Sequence, residues 1–292
     1  MTDRSDSGLL GRCATASFAL VISACGGGAS SSNDAATADS SSDGTPIASR
    51  CTVTPTMATC TNHAIQIAGR TVTYELPLGT APAGGWPIVI FYQGSFIAGS
   101  RAFAAAAADA FGQYELTLTV EALLDHGYAV VAPNAQSDGN SYWQTNVPPC
   151  STSWTGCADD MLVTQLLTAT EDGTFGPLDP ARRYAMGLSS GGFMTSRMAV
   201  SYATKFRALA IASGSYATCG TSCTVPTLPA DHPPTLFLHG AMDTTVPPSV
   251  MTVYRDKLVA TGHVVDTILR ASAGHEWLPE GKTAIPAWFD AH

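Results

Sequence analysis

From Thr71 onward the chain alternates two kinds of pattern. Short, nearly continuous apolar runs read as strands: Thr71–Leu76, Ile88–Tyr92 (IVIFY), Tyr128–Ala132 (YAVVA), Tyr184–Met186, Ala208–Ala212, Thr235–His239 (TLFLH) and Val264–Leu269. Between them lie segments with helical character. These are an Ala-rich stretch near Ala102–Ala110, a helix that ends over Glu121–His126, then Asp160–Asp172, Phe193–Tyr202, Pro248–Thr261 and Thr283–Asp290. Strands that are apolar at successive positions are buried on both faces, and strand–helix alternation is the pattern of a mostly parallel sheet flanked by crossover helices. The expectation is one α/β domain over 51–292, without internal repeats. Two longer inserts break the rhythm, Asn134–Cys157 and Ser213–Pro234. Both follow strand ends, the side of an open α/β sheet where ligands bind, so both are expected to wall a binding site.

One strand-to-helix junction carries chemistry. Tyr184-Ala-Met-Gly187-Leu188-Ser189-Ser190-Gly191-Gly192 is a G-x-S-x-G sequence set between a strand and a helix. That is the arrangement of a nucleophile elbow, in which the serine hydroxyl stands above a sheet edge on a strained turn. A serine hydroxyl is a weak nucleophile at neutral pH and needs a base, plus a carboxylate that orients the base. In the α/β-hydrolase fold these follow in the order serine, acid, histidine, each after a later strand. Asp243, just beyond TLFLHG, and His275, in Ala273-Gly274-His275-Glu276-Trp277, meet that rule. His239 precedes the acid and reads as buried and structural. His232 lies upstream of the acid, His263 sits at the wrong edge of the sheet, and His63, His126 and His292 lack a suitable context. Asp231 comes before its strand and Asp266 lies inside one. Two backbone N–H groups are needed to hold an oxyanion. Ser190, after the nucleophile, is the first; Ser95, in Tyr92-Gln93-Gly94-Ser95-Phe96, is the choice for the second, with Phe96 next.

Composition narrows the setting. Only 13% of residues are charged and the formal net charge is -9, which excludes nucleic acid as a partner. Ala14–Ile22 is an apolar run too short to span a bilayer, ending in Ile22-Ser23-Ala24-Cys25, which resembles a bacterial lipobox. Residues 1–24 therefore read as a signal peptide of lipoprotein type, with Cys25 as the lipidation site and a membrane anchor; an ordinary secretory cleavage is the alternative. Residues 25–50, with GGGASSSNDAATADSSSDGT at their heart, read as a flexible tether with a reach of roughly 25 Å. The remaining six cysteines fall in close pairs, and export favours the disulfides Cys51–Cys60, Cys150–Cys157 and Cys219–Cys223 over a metal site, since none has the spacing or histidine neighbours of zinc ligands.

Several stretches together carry a more specific resemblance. They include PLGTAPAGGWPIVIFYQGSF, LLDHGYAVVAP, WQTNVP, FGPLDPARRYAMGLSSGGFMTSRMAV, FRALAIASGSYATC, LPADHPPTLFLHG and GHEW, spread from Cys51 to the C-terminus. The chain resembles the extracellular depolymerases of medium-chain-length polyhydroxyalkanoates, which are α/β-hydrolases. The resemblance implies Ser189 as nucleophile, Asp243 as acid and His275 as base, in agreement with the strand-order argument. It also implies a single catalytic domain with no large lid, no separate polymer-binding domain, no cofactor and no metal. Phe96, Tyr142, Trp143 and Trp277 are then candidate contacts to an alkyl side chain or polymer surface. One departure stands out: such enzymes are released from the cell, whereas this chain carries a lipobox-like segment and a tether, the mark of a cell-surface or outer-membrane protein. Other aliphatic polyesters such as polylactide fall within the same chemistry. The alternative is a general carboxylesterase acting on small or polysaccharide-linked esters.

Overall fold

The computed structural model describes residues 48–136, 141–220 and 223–292. The signal segment 1–24, the lipidation site Cys25 and all but the last residues of the tether lie outside the described residues. In chain order the elements are β1 (Cys51–Val53), β2 (Met57–Cys60), β3 (His63–Ile67), β4 (Arg70–Glu75), β5 (Trp86–Tyr92), β6 (Ala104–Ala106), α1 (Gln113–Asp125) and β7 (Ala129–Pro133). There follow α2 (Ala158–Glu171), β8 (Leu178–Leu188), α3 (Ser190–Ser201), β9 (Ala208–Ala212), β10 (Thr235–Gly240), α4 (Pro248–Ala260), β11 (Val265–Arg270) and α5 (Gly281–Ala291).

The apolar runs assemble into an eight-stranded sheet of order β11-β10-β9-β8-β5-β7-β4-β3. All neighbours from β11 to β7 pair in parallel, and β4 and β3 close one edge antiparallel. Alternation along β5 shows why the sheet is central. Val89 and Phe91 pack into the cluster that contains α1 and α5, whereas Ile88, Ile90 and Tyr92 pack with residues of α2 and α3 on the other face. Each of these side chains is at most 1% exposed, and burying one contributes roughly 1.5–3 kcal/mol. Ile211 and Phe237 extend the second face to Met251, Tyr254 and Leu258 of α4. Because β5, β8, β10 and β11 run parallel, the loops after them leave from the same edge of the sheet. This brings segments far apart in sequence together.

Three features depart from the pattern read in the sequence. The Ala-rich stretch is not a helix: it is a 3₁₀ turn at Gly99–Phe103, strand β6 and a second turn at Ala110–Gly112. Alanine favours a helix, but here β6 pairs antiparallel with β2, and Asp109 binds both the Arg101 guanidinium and the Ala106 amide (2.8 Å), holding a tight loop instead. β1, β2 and β6 form a small separate sheet that the sequence pattern did not reveal. The strand leading to the elbow runs over Leu178–Leu188, well beyond Tyr184–Met186, and its helix begins directly at Ser190.

The three disulfides pair as the clustering implies. Cys51–Cys60 joins opposed residues of β1 and β2, and the other two close loops within the two inserts. Such bonds are those of an exported protein. Among the described residues, no helix is long and apolar enough to cross a membrane.

His232, near the end of the second insert, is buried against α4. Its Nδ1–H donates to the Pro233 carbonyl (2.8 Å) and its Nε2 accepts from the Tyr254 hydroxyl (2.6 Å). Burial pushes its pKa down to about 4, against the opposing pull of the Pro233 bond. The folded state thus resists a proton that the unfolded chain takes up near the ordinary histidine value of about 6.5. Its stabilisation is complete above that pH and is lost as pH falls toward 4, amounting to about 3 kcal/mol. Unfolding followed from pH 7 to 4 should show this loss, and His232→Gln should flatten the profile over that window.

Candidate active site

The loop between β8 and α3 is a single residue. Ser189 sits at φ 57° and ψ -120°, a conformation that side chains other than glycine rarely adopt. The turn survives because of close packing around it. An added Cβ on Gly187 would run into the Gly191 carbonyl, and one on Gly191 would enter the Tyr92 and Gln93 carbonyls. The Ser189 amide donates to the Ala212 carbonyl of β9 (3.0 Å), and the Ser189 carbonyl accepts from Phe193 (3.1 Å). The strand is thereby turned straight into α3, whose unpaired amide end begins at Ser190 and carries the positive end of the helix dipole.

Asp243 follows β10 and is only 3% exposed. Its Oδ1 accepts from the amides of Thr245 (2.9 Å) and Val246 (2.8 Å), and its Oδ2 accepts from His275 Nδ1–H (2.8 Å). That choice of tautomer leaves His275 Nε2 as an acceptor. Gly240 permits the approach of the two loops, since a Cβ there would strike the carbonyls of Ala273 and Gly274. His239 is buried, as its position implied. Its Nε2–H donates to the Val246 carbonyl (2.8 Å) and lies 3.5 Å from Asp243 Oδ2; burial lowers its pKa, keeping it neutral. His239 therefore braces the acid loop.

Ser189, His275, Ser95 and Phe96 all line one cavity of about 300 Å³, together with Ile97, Phe111 and Leu188. Among the described residues His275 is hydrogen-bonded to Asp243 and not to Ser189, although both open on this cavity. Unliganded sites often leave such a bond to be tightened by substrate. The Phe96 amide donates to the Ser141 carbonyl (2.8 Å), and both Ser95 and Phe96 line the cavity.

Two of the four candidate aromatic contacts are corrected. Trp143 is 0% exposed: its indole N–H donates to the Gln93 carbonyl (3.0 Å) and its amide donates to Ser190 Oγ (3.2 Å). Trp277 is 1% exposed, with its indole N–H on Thr119 Oγ1 (2.9 Å) and its ring edge-on to Phe91. Neither offers a face to a ligand. Tyr142 is half-buried and does not line the cavity; Phe96 does, and is 78% exposed. The sequence reading missed Phe111, also exposed at the rim, whose only local signal is a Phe-Gly pair at the head of a helix. The inserts border a neighbouring hollow of about 520 Å³, where Asn146 of the first and Gly220 of the second join Phe193, Thr244 and Thr245; Thr245 also lines the cavity of Ser189. Among the described residues, no group of three or more His, Cys, Asp or Glu is placed to hold a metal ion.

No family model matches the chain. The poly(3-hydroxyoctanoate) depolymerase of Pseudomonas fluorescens is 48% identical to it over 228 residues, which cover 77% of this chain and 81% of that enzyme. The chain belongs to the poly(3-hydroxyoctanoate) depolymerase family. Members of this family are carboxylic ester hydrolases. Among solved structures, the acetyl xylan esterase of Aspergillus awamori matches with a TM-score of 0.58 at 17% identity, covering 80% of this chain and 100% of its own. The Bacillus cereus carboxylesterase matches with a TM-score of 0.54 at 12% identity, covering 76% and 94%. At these identities the likeness shows the α/β-hydrolase fold.

The packing at the elbow makes a prediction for this depolymerase-family chain. Gly191→Ala forces a methyl group into backbone carbonyls that cannot swing away, and should cost about 3 kcal/mol or more in denaturant unfolding. An exposed glycine with open space around it and no left-handed backbone, Gly220, should tolerate the same change far better in the same assay.

Proposed function

We propose that the protein is a serine-dependent polyester hydrolase that cleaves medium-chain-length polyhydroxyalkanoate, with Ser189 as nucleophile, His275 as base and Asp243 as the acid that orients it. The observation that carries this reading is the shared cavity: a hydroxyl on a strained elbow and an Asp-bonded imidazole open together onto an apolar chamber, in a chain of this family. His275 Nε2 takes the Ser189 proton as Oγ attacks the ester carbonyl. The amides of Ser190 and Ser95 receive the oxyanion. His275 then returns the proton to the departing alkoxide, and water releases the hydroxyacid or oligomer from Ser189. Polylactide and other aliphatic polyesters present the same carbonyl to the same groups.

The reading extends to the flanking segments. Residues 1–24 act as a signal peptide, Cys25 carries the lipid, and residues 25–50 hold the catalytic domain, 51–292, off a bacterial membrane at the cell surface. The three disulfides and the composition of the tether support this placement.

Trp143 has a part that its aromatic character concealed. With Ser141 it forms a strap that touches both oxyanion segments: Ser141 accepts from Phe96, and Trp143 donates to Gln93 and Ser190. The strap sets the separation of the Ser190 and Ser95 amides.

The test is clearing of a poly(3-hydroxyoctanoate) emulsion by the purified protein. Ser189→Ala should abolish clearing, and Asp243→Asn should lower kcat by about 10⁴-fold by supplying the wrong partner to His275. Cleavage of aryl esters without clearing of any polyester would move the reading to a general carboxylesterase. Trp143→Phe, which keeps the packing on Tyr92 but loses the indole N–H, should lower kcat about tenfold with little change in KM, as expected when one hydrogen bond to the oxyanion loop is lost.

A further inference from the structure

Two phenylalanines at the cavity mouth are held in a conformation that phenylalanine ordinarily avoids. Phe96 has φ 65° and Phe111 has φ 62°, both in the left-handed region, and they are 78% and 48% exposed. Neither aromatic ring is placed by its own burial. Each backbone is instead held by a neighbour: the Phe96 amide donates to Ser141, and the Phe111 carbonyl accepts the Trp277 amide (2.9 Å). Gly112 has to follow Phe111, because a Cβ there would enter the Trp277 backbone. The chain thus accepts unfavourable backbone at two sites and leaves two large apolar side chains in water. Outliers of this kind gather at functional sites.

Both residues line the same cavity. Phe96 belongs to the loop after β5 that carries Ser95. Phe111 lies edge-on to His275, with ring centroids 6.2 Å apart and an interplanar angle of 80°. The cavity is also lined by Ile97, Leu188, Ser95 and Thr245, with Ser189 and His275.

We infer that Phe96 and Phe111 form a clamp for the alkyl branch of the acyl unit and that Phe111 sets the preference for medium-length branches. This rests on the ester-hydrolase reading above. In a poly(3-hydroxyalkanoate) the branch leaves the main chain two carbons from the carbonyl that Ser189 attacks. Its slot therefore has to adjoin Ser189 directly. Apart from Ser95 and Thr245, the side chains that line the cavity beside Ser189 and His275 are apolar. A methyl branch leaves that slot largely empty, whereas a pentyl branch reaches both rings. Each methylene removed from water favours binding by about fourfold.

The experiment measures kcat/KM of the purified protein on p-nitrophenyl butanoate and octanoate, alongside clearing of poly(3-hydroxybutyrate) and poly(3-hydroxyoctanoate) emulsions. Phe111→Gly and Phe96→Gly remove the rings while suiting the left-handed backbone, so both variants should unfold at or above the wild-type temperature. The octanoate-to-butanoate ratio should fall about tenfold in Phe111→Gly, equivalent to roughly two methylenes, with the longer ester losing most. Phe111→Leu should recover part of it. An unchanged ratio in both glycine variants overturns the clamp, and so does an equal fall on both esters, which would mean that Phe111 only steadies His275. A wild type without preference for the longer ester overturns it as well. Selectivity on the esters without clearing of either polymer would support the clamp while removing the polyester reading.

Discussion

Everything at the Ser189 edge of the sheet depends on how closely α3 is drawn into it. Its first turn sits against the carbonyls at the end of β5, and Gly192 lies against the Ala212 carbonyl of β9. Three glycines make this possible, because any side chain at Gly187, Gly191 or Gly192 would have to occupy space already filled by backbone. The approach turns Ser189 into its strained conformation and puts the amide end of α3 beside the loop after β5. The elbow is thus a packing result, and its strain is supported by the buried strands on both sides.

Asp243 and His275 are ordered by a different means. Asp243 is almost fully buried, yet each oxygen has partners: two loop amides on one, and the His275 ring on the other. A buried carboxylate with its hydrogen bonds satisfied holds its partner's orientation with little freedom. His239 contributes from behind by tying Val246 to the end of β10. The outer wall is likewise braced through polar contacts. Arg197 of α3 reaches Thr145 and lies over the Trp154 ring, while Arg70 and the Gln144 amide share Asp159.

Much of this was legible in the sequence because it follows from spacing. Ser189 is marked by glycines at fixed offsets, and Asp243 and His275 by their position after successive strands. The Ala102–Ala110 stretch was not legible: alanine has no preferred face, so its pairing with β2 depends on a strand far away in sequence. The aromatic residues failed for a related reason. Trp143 and Trp277 are large enough to serve either core or site, and only their indole N–H partners, Gln93 and Thr119, show which. Phe111 was invisible because its exposure follows from a left-handed backbone that no pattern of apolar positions encodes.

The strap formed by Ser141 and Trp143 also limits how such a protein can diversify. Loops on α/β scaffolds are usually exchangeable, since each is anchored at its own two ends. Here one loop is fastened both to the turn after β5 and to the elbow at Ser189–Ser190, so it cannot be replaced as a module. A change in its length or sequence would be felt at the elbow before it was felt by a new ligand. New specificity is more accessible through the rim side chains of Phe96 and Phe111, whose backbones can stay where Ser141 and Trp277 hold them. The region open to variation and the region that must be inherited intact lie within a few residues of each other.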